Sequence, residues 1–249
     1  MIQETTKIQG HKEHEADFMF KNLTMVALLI CWLLFSGCGV DKPVGISSPL
    51  APASGENLPP LSASQEKQLN LAYARLLKGQ AREALALYLE LQKTAPQNPQ
   101  VLTGLTEVYL AQKDYPQAKT VLKTALSQDP EDGKALMLSG KLAQETGKPR
   151  EAIKFYLAVP ETYPDYDTAL SNAAQVYLEI NRPREAQKLL KKALQLYPNF
   201  DEGMYYLASA YMKMGKPGLA VYYLKLAASF NPEWLKEARE DKDLGKLEL

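Results

Sequence analysis

Residues 167–198 read DTALSNAAQVYLEINRPREAQKLLKKALQLYP. Ala169, Leu170, Ala173, Ala174 and Tyr177 recur at three- and four-residue steps, and Ala186, Leu189, Leu190, Ala193 and Leu194 do so again. That period puts each set on one face of a helix. Between the two sets Asn181 suits the left-handed turn that ends a helix, and Pro183 suits the first turn of the next. Pro198 stops the second helix. The stretch is predicted to be a helical hairpin, its two helices touching through Ala173, Ala174 and Ala186.

The same unit recurs along the chain. Pro96, Pro130, Pro164, Pro198 and Pro232 stand 34 residues apart. Counted from Gln65, Pro99, Gly133, Asp167 and Asp201, the twentieth position is Ala84, Ala118, Ala152, Ala186 and Ala220. The eighth is always small: Ala72, Thr106, Gly140, Ala174 and Ala208. The fifteenth is Gly79, Lys113, Gly147, Asn181 and Gly215, four of which tolerate positive φ. Self-similarity at a fixed period signals a stacked array in which each unit buries its apolar face on its neighbours.

Helical hairpins of 34 residues with this pattern resemble the tetratricopeptide repeat (TPR) family. The resemblance spans residues 65–232 as five units, 65–98, 99–132, 133–166, 167–200 and 201–234. It implies an all-α fold, a right-handed α-solenoid of five hairpins with a C-terminal capping helix. Two departures stand out. No unit has the family's frequent Trp at its fourth position, and Arg75 and Ala143 replace the usual Tyr at the eleventh.

The amino-terminal part has a different character. Leu23–Phe35 is a 13-residue apolar run, too short for a comfortable membrane span and suited to the core of a secretory signal. Ser36-Gly37-Cys38 follows, and the whole resembles a bacterial lipoprotein signal. The resemblance implies cleavage after residue 37 and acylation, palmitate-type chains included, on Cys38. Residues 1–18 carry four acids, unusual for a signal, and a start at Met19 gives a more ordinary leader. The competing reading is an uncleaved signal anchor. Cleavage removes Cys31, His11 and His14, so the mature chain has no histidine, and it keeps 26 Lys or Arg against 25 Asp or Glu. That balance gives no reason to expect nucleic-acid binding.

Residues 38–64 are predicted to be a tether after the lipidated Cys38, since 39–64 hold five Pro, three Gly and five Ser without a helical period. As a coil such a segment spans roughly 28 Å, and roughly 85 Å when stretched. Ser62 is expected to cap the first helix with Gln65 as its partner. Residues 233–249 begin like another first helix. Trp234, Leu235 and Ala238 share one face, which suits a solvating cap over the last unit; the sharper alternative is a Trp-bearing docking segment.

The chain holds no HExxH, glycine-rich phosphate loop or GxSxG. Without histidine or a free thiol, Ser-His and Cys-His nucleophile schemes cannot be assembled. No catalysis, cofactor or metal is expected, and function is sought on the surface. In the TPR family, positions 2, 5, 9 and 12 of each unit line a concave groove. On this chain the resemblance implies a partner-binding groove with Tyr73, Thr103, Glu107, Lys134, Met137, Lys141, Ser171, Gln175, Tyr205, Ser209 and Met212. Tyr73 and Tyr205 are expected as apolar anchors, with Lys141 and Gln175 as polar contacts. Leu76, Leu110 and Leu178 are expected to pack between units instead, and Tyr211 to be a core ring. Such a lining suits an extended peptide or partner helix.

Taken together, these features predict a lipid-anchored, non-enzymatic scaffold of the bacterial envelope. Assembly of pili, secretion channels, exopolysaccharide export or cell wall are the processes such lipoproteins serve. Gly39, where an Asp would signal inner-membrane retention, points to the periplasmic face of the outer membrane. The alternative is a recruiting subunit for an envelope enzyme such as a cell-wall hydrolase.

Overall fold

The computed structural model describes residues 59–247; the signal segment, Cys38 and most of the tether lie outside the described residues. Eleven α-helices follow one another: α1 (Ala63–Leu77), α2 (Ala81–Thr94), α3 (Pro99–Ala111), α4 (Tyr115–Gln128), α5 (Gly133–Glu145), α6 (Pro149–Ala158), α7 (Tyr166–Glu179), α8 (Pro183–Leu196), α9 (Asp201–Lys213), α10 (Pro217–Phe230) and α11 (Glu233–Glu240). A 3₁₀ turn, Leu244–Lys246, closes the described chain, and no strand occurs among the described residues. The helices pair into five hairpins, α1–α2 to α9–α10, and each hairpin packs on the next. This is an α-solenoid.

The helix starts follow from local chemistry. Ser62 and Gln65 form the expected capping box, the Ser62 amide donating to Gln65 Oε1 at 2.8 Å and the Gln65 amide to Ser62 Oγ at 3.3 Å. The tether therefore ends earlier than expected, because Ala63 and Ser64 already belong to α1. Asn98, Asp114 and Asp132 cap α3, α4 and α5 through their side chains. Proline stands in the first turn of α3, α4, α6, α8 and α10, where its missing N–H has no partner to lose.

One device turns the chain inside every hairpin. Gly79, Lys113, Gly147, Asn181 and Gly215 all have φ between 57° and 73°. In each unit that residue's amide and the next one reach back to the carbonyls of the last helical turn: Gly79 to Leu76 and Gln80 to Arg75, Asn181 to Leu178 and Arg182 to Tyr177. The two hydrogen bonds satisfy two orphan carbonyls, and the chain reverses direction in a few residues. Lys113 adopts the same conformation without being glycine or asparagine, so the fifteenth position is a backbone requirement in all five units.

Within each hairpin the twentieth-position alanines Ala84, Ala118, Ala152, Ala186 and Ala220 are fully buried. Small residues there let the two helices approach closely. Tyr88 and Tyr156 exploit glycines in the same way: a Cβ on Gly104 would fall 2.3 Å from the Tyr88 ring, and one on Gly140 would fall 2.5 Å from that of Tyr156.

The third unit departs from the others. Its second helix, α6, has 10 residues where α2, α4, α8 and α10 have 14. Pro160 cannot continue a helix, and it forces Val159 into extended backbone, φ −60° and ψ 128°. The buried apolar residues divide accordingly. One large cluster runs from Leu69 to Leu138 and another from Ala174 to Leu244, with two smaller ones around the third and fourth units between them.

The two ends of the array differ. At the C-terminal end α11 and Leu244 cover the last hairpin, with Ala238 and Leu244 fully buried and Lys213 paired to Asp243 at 2.8 Å. At the other end Leu71 is 45 % exposed, while its counterparts Leu105, Ala173 and Leu207 have no exposed surface.

Candidate functional site

The first helices α1, α3, α5, α7 and α9 carry the residues that the family register assigns to a concave groove. Their exposure divides those residues into two groups. Tyr73 and Lys141 are exposed, and Glu107, Lys134, Met137, Gln175 and Met212 are half-buried. Thr103, Ser171, Tyr205 and Ser209 are buried, which corrects their assignment as open lining. Thr103 Oγ1 donates to the Pro99 carbonyl at 2.9 Å, and Ser209 Oγ to that of Tyr205 at 3.4 Å. These hydroxyls are used up by their own helices. Leu110 and Leu178 are buried and Leu76 packs on the core, as inter-unit contacts should.

Tyr205 is the main correction. It is not an open anchor, because the Trp234 indole stacks on it with centroids 4.7 Å apart. The Trp234 indole N–H donates to Asp201 Oδ2 at 2.9 Å, fixing the ring in place. Burial, then Asp241 and Glu237, pushes the Tyr205 phenol up to about 12. Trp234 thus belongs to the cap rather than to a free docking segment. Tyr211 is a core ring as expected, 4 % exposed and stacked on Tyr223.

Polar contacts join successive units and the two helices of one hairpin. Lys134 pairs with Glu107 at 2.7 Å. The Gln144 amide donates to Glu179 at 2.8 Å, and the Tyr156 hydroxyl donates to Gln144 Oε1 at 3.3 Å. Lys192 of α8 holds both Glu161 and the Tyr166 hydroxyl. That contact raises the ammonium and lowers the carboxylate, each mainly through the hydrogen bond between them. The Glu107 charge is therefore met within the protein, whereas Lys141 forms no ion pair or hydrogen bond.

At the fourth and fifth units the electrostatics change. Burial raises the Glu202 carboxyl, and the neighbouring Asp201, Asp167 and Glu237 raise it further against a hydrogen bond from Ser171. Tyr206, which the register did not assign to the groove, stands half-buried beside it. Its phenol is raised first by burial and then by Glu202, with Glu237 and Glu179 also acting on it.

Among the described residues no group of His, Cys, Asp and Glu is arranged to hold a metal ion. No helix among them is long and apolar enough to cross a membrane. Two open clefts, of about 770 and 590 Å³, lie at the intra-hairpin turns. The first is lined by Gly79, Arg82 and Gln112 among others, the second by Arg184, Met214 and Lys216. Neither includes a groove residue.

The array has the shape of several solved structures. PilF of Pseudomonas aeruginosa matches with a TM-score of 0.62 at 20 % identity, over 73 % of this chain and 86 % of its own. PilW, described as a widely conserved type IV pilus biogenesis factor, gives 0.61 at 24 % identity, over 68 % and 79 %. YrrB, described as a TPR protein with an unusual peptide-binding site, gives 0.52 at 18 % identity, over 70 % and 91 %. No curated protein matches by sequence. The family profile for the tetratricopeptide repeat matches residues 75–142, 109–177 and 177–239. Those matches run from the end of α1 into α11, through the hairpins that the 34-residue spacing delimits, and the chain belongs to the tetratricopeptide repeat family.

Proposed function

We propose that this chain is a lipid-anchored, non-enzymatic scaffold of the bacterial cell envelope, binding a protein partner along the concave face of its hairpin array. The observation that carries the anchoring is Ser36-Gly37-Cys38 directly after the apolar run Leu23–Phe35, ahead of an unbroken repeat array. Two or more acyl chains at about 0.8 kcal/mol per buried CH₂ hold a protein on a membrane. The partner role draws support from the absence of any histidine after residue 14 and from the mixed, partly exposed lining at Tyr73, Met137, Lys141 and Gln175. The resemblance in shape to PilF and PilW favours pilus assembly among envelope processes. The periplasmic face of the outer membrane is the proposed location, from Gly39 beside the acylated Cys38.

Cys38→Ala should leave an unprocessed precursor; normal maturation with acylation would refute the anchor. Detergent-solubilised membranes should yield the chain with a pilus, secretion or export subunit. Co-purification with a cell-wall hydrolase instead would make it that enzyme's recruiter.

A further inference from the structure

The outer face of α10 breaks the pattern of the other second helices. Leu219, Tyr222, Leu226 and Phe230 follow at steps of three and four. They form one stripe about 17 Å long, roughly a third of a turn from the buried Ala220, Leu224 and Ala227. In α8 the first three of these positions hold Glu185, Lys188 and Lys192, and in α2 they hold Glu83, Ala86 and Glu90. Only the fifth unit makes all four apolar. α11 and the closing turn pack on the last hairpin, yet Leu219, Tyr222 and Phe230 stay 37 %, 46 % and 50 % exposed. Leu196, the counterpart of Phe230 in α8, is 50 % exposed as well.

The charges around the stripe have one sign. Lys225 is the one charged residue of α10, and Lys216 stands just ahead of the helix. Lys188 and Lys191 occupy in α8 the places that Tyr222 and Lys225 hold in α10. All four lysines are exposed and form no ion pair or hydrogen bond. The starts of the two helices adjoin, because Arg184 and Gln187 line one cleft with Met214 and Lys216. The acids flanking them in sequence are met within the protein, Glu185 by Arg182 and Glu233 by Lys236.

An apolar stripe with two rings and unmatched cations beside it is the chemistry that enters the headgroup region of an anionic bilayer. The rings and leucines leave water, and each ammonium near the surface gains from the negative potential of the lipids. A second copy is the poorer fit, since pairing through this face sets lysine against lysine and supplies no acid. We propose that the outer face of α10, with the lysines of α8 beside it, seats the array on an anionic phospholipid surface. This inference rests on the membrane-anchored reading, which puts a bilayer within reach of the tether. Tethering makes even a weak seat effective, because the bilayer stays at high local concentration. Seating through second helices keeps the first helices, which carry the groove residues, free for a partner.

The unacylated chain from residue 39 onward is suited to the test, since the buried core of the described fold lies within residues 59–247. It should float with vesicles of phosphatidylethanolamine and phosphatidylglycerol, more at low salt than at high, and little with phosphatidylcholine alone. Tyr222→Thr combined with Phe230→Thr should lower that partitioning about tenfold while the circular-dichroism melt stays that of the parent; threonine already stands at those positions as Thr120 and Thr94 in other units. Lys188→Gln combined with Lys225→Gln should lower it about tenfold as well. Lys67→Gln combined with Lys78→Gln removes the same charge from the first hairpin and should leave partitioning unchanged. The proposal is overturned if the chain ignores the anionic vesicles, if either the threonine or the α8–α10 lysine variant floats as the parent does, or if the first-hairpin pair weakens binding equally. It is overturned too if the chain sediments as a dimer that Tyr222→Thr with Phe230→Thr breaks, for the face then belongs to a second copy. Failure of the anchoring reading shows separately, in normal maturation and acylation of Cys38→Ala, whatever the unacylated chain does with vesicles.

Discussion

Replacing Gly140 by alanine sets two opposing effects against each other at a single Cβ. In a helix interior alanine is favoured over glycine by about 1 kcal/mol, so a site with room should gain. Gly140 has no room. The new Cβ would fall 2.5, 2.6 and 2.8 Å from Cε1, Cδ1 and Cζ of Tyr156, about 1 Å inside the contact distance of two carbons. Tyr156 is 2 % exposed and its hydroxyl is bonded to Gln144, so the ring cannot swing into solvent. Overpacking of that kind costs about 2–3 kcal/mol, leaving a net loss of about 1–2 kcal/mol. For an array of this size the melting temperature should fall by about 2–8 °C. Gly218 in α10 is the control, because nothing lies within 4 Å of its added Cβ; Gly218→Ala should be neutral or stabilising by up to about 1 kcal/mol. Leucine occupies the Tyr156 position in three other units, as Leu122, Leu190 and Leu224. Gly140→Ala in a Tyr156→Leu background should therefore cost nothing. Thermal melts of the four variants decide it: a Gly140→Ala protein as stable as the parent would refute the close contact.

Three further outcomes follow from the same geometry. Tyr205→Ala should destabilise the protein by about 3–5 kcal/mol in urea melts, as Tyr211→Ala should, because both rings are buried in stacks; an unchanged midpoint would restore Tyr205 to the open groove. Ala186→Leu should cost about 1–3 kcal/mol by circular dichroism, since a fully buried contact between two helices has no space for three more carbons. The Glu202 carboxyl is raised in the native state, so the native protein holds that proton to higher pH than the unfolded chain does. Stability is complete below the ordinary glutamate range and falls as pH rises through the native value. Glu202→Gln should accordingly melt higher than the parent at pH 7 and converge with it near pH 4, and an equal or lower melting temperature at pH 7 would contradict the cost of burying that charge beside other acids.

The fold was legible because its determinants are local and repeated: five prolines, five alanines and five turn residues at one spacing already imply the hairpins. Lys113 shows the limit of residue preference, for its positive φ follows from the register and not from the side chain. The groove was less legible. A register says which way a side chain leaves its helix, but exposure depends on what the next unit lays over it. Trp234 covers Tyr205 from 29 residues away, and nothing in the spacing of Tyr205 alone announces that. Tyr206 was missed because its position is held by Asn70, Gly104, Leu138 and Asn172 in the other units, so no repeated signal marks it. The shortened α6 was visible as Pro160, the one proline that breaks the period inside a second helix.

That shortened helix bears on the mechanics of the whole array. A rod built from five equal segments bends evenly, whereas one with a notch concentrates its strain there. Large apolar clusters lie towards either end, and the third unit between them offers the shorter α6 and smaller clusters. Thermal bending, tension from a bound partner or the first local opening should all focus at residues 159–165. The curvature of the concave surface would then be adjustable at one joint, as two arms closing on an elastic hinge.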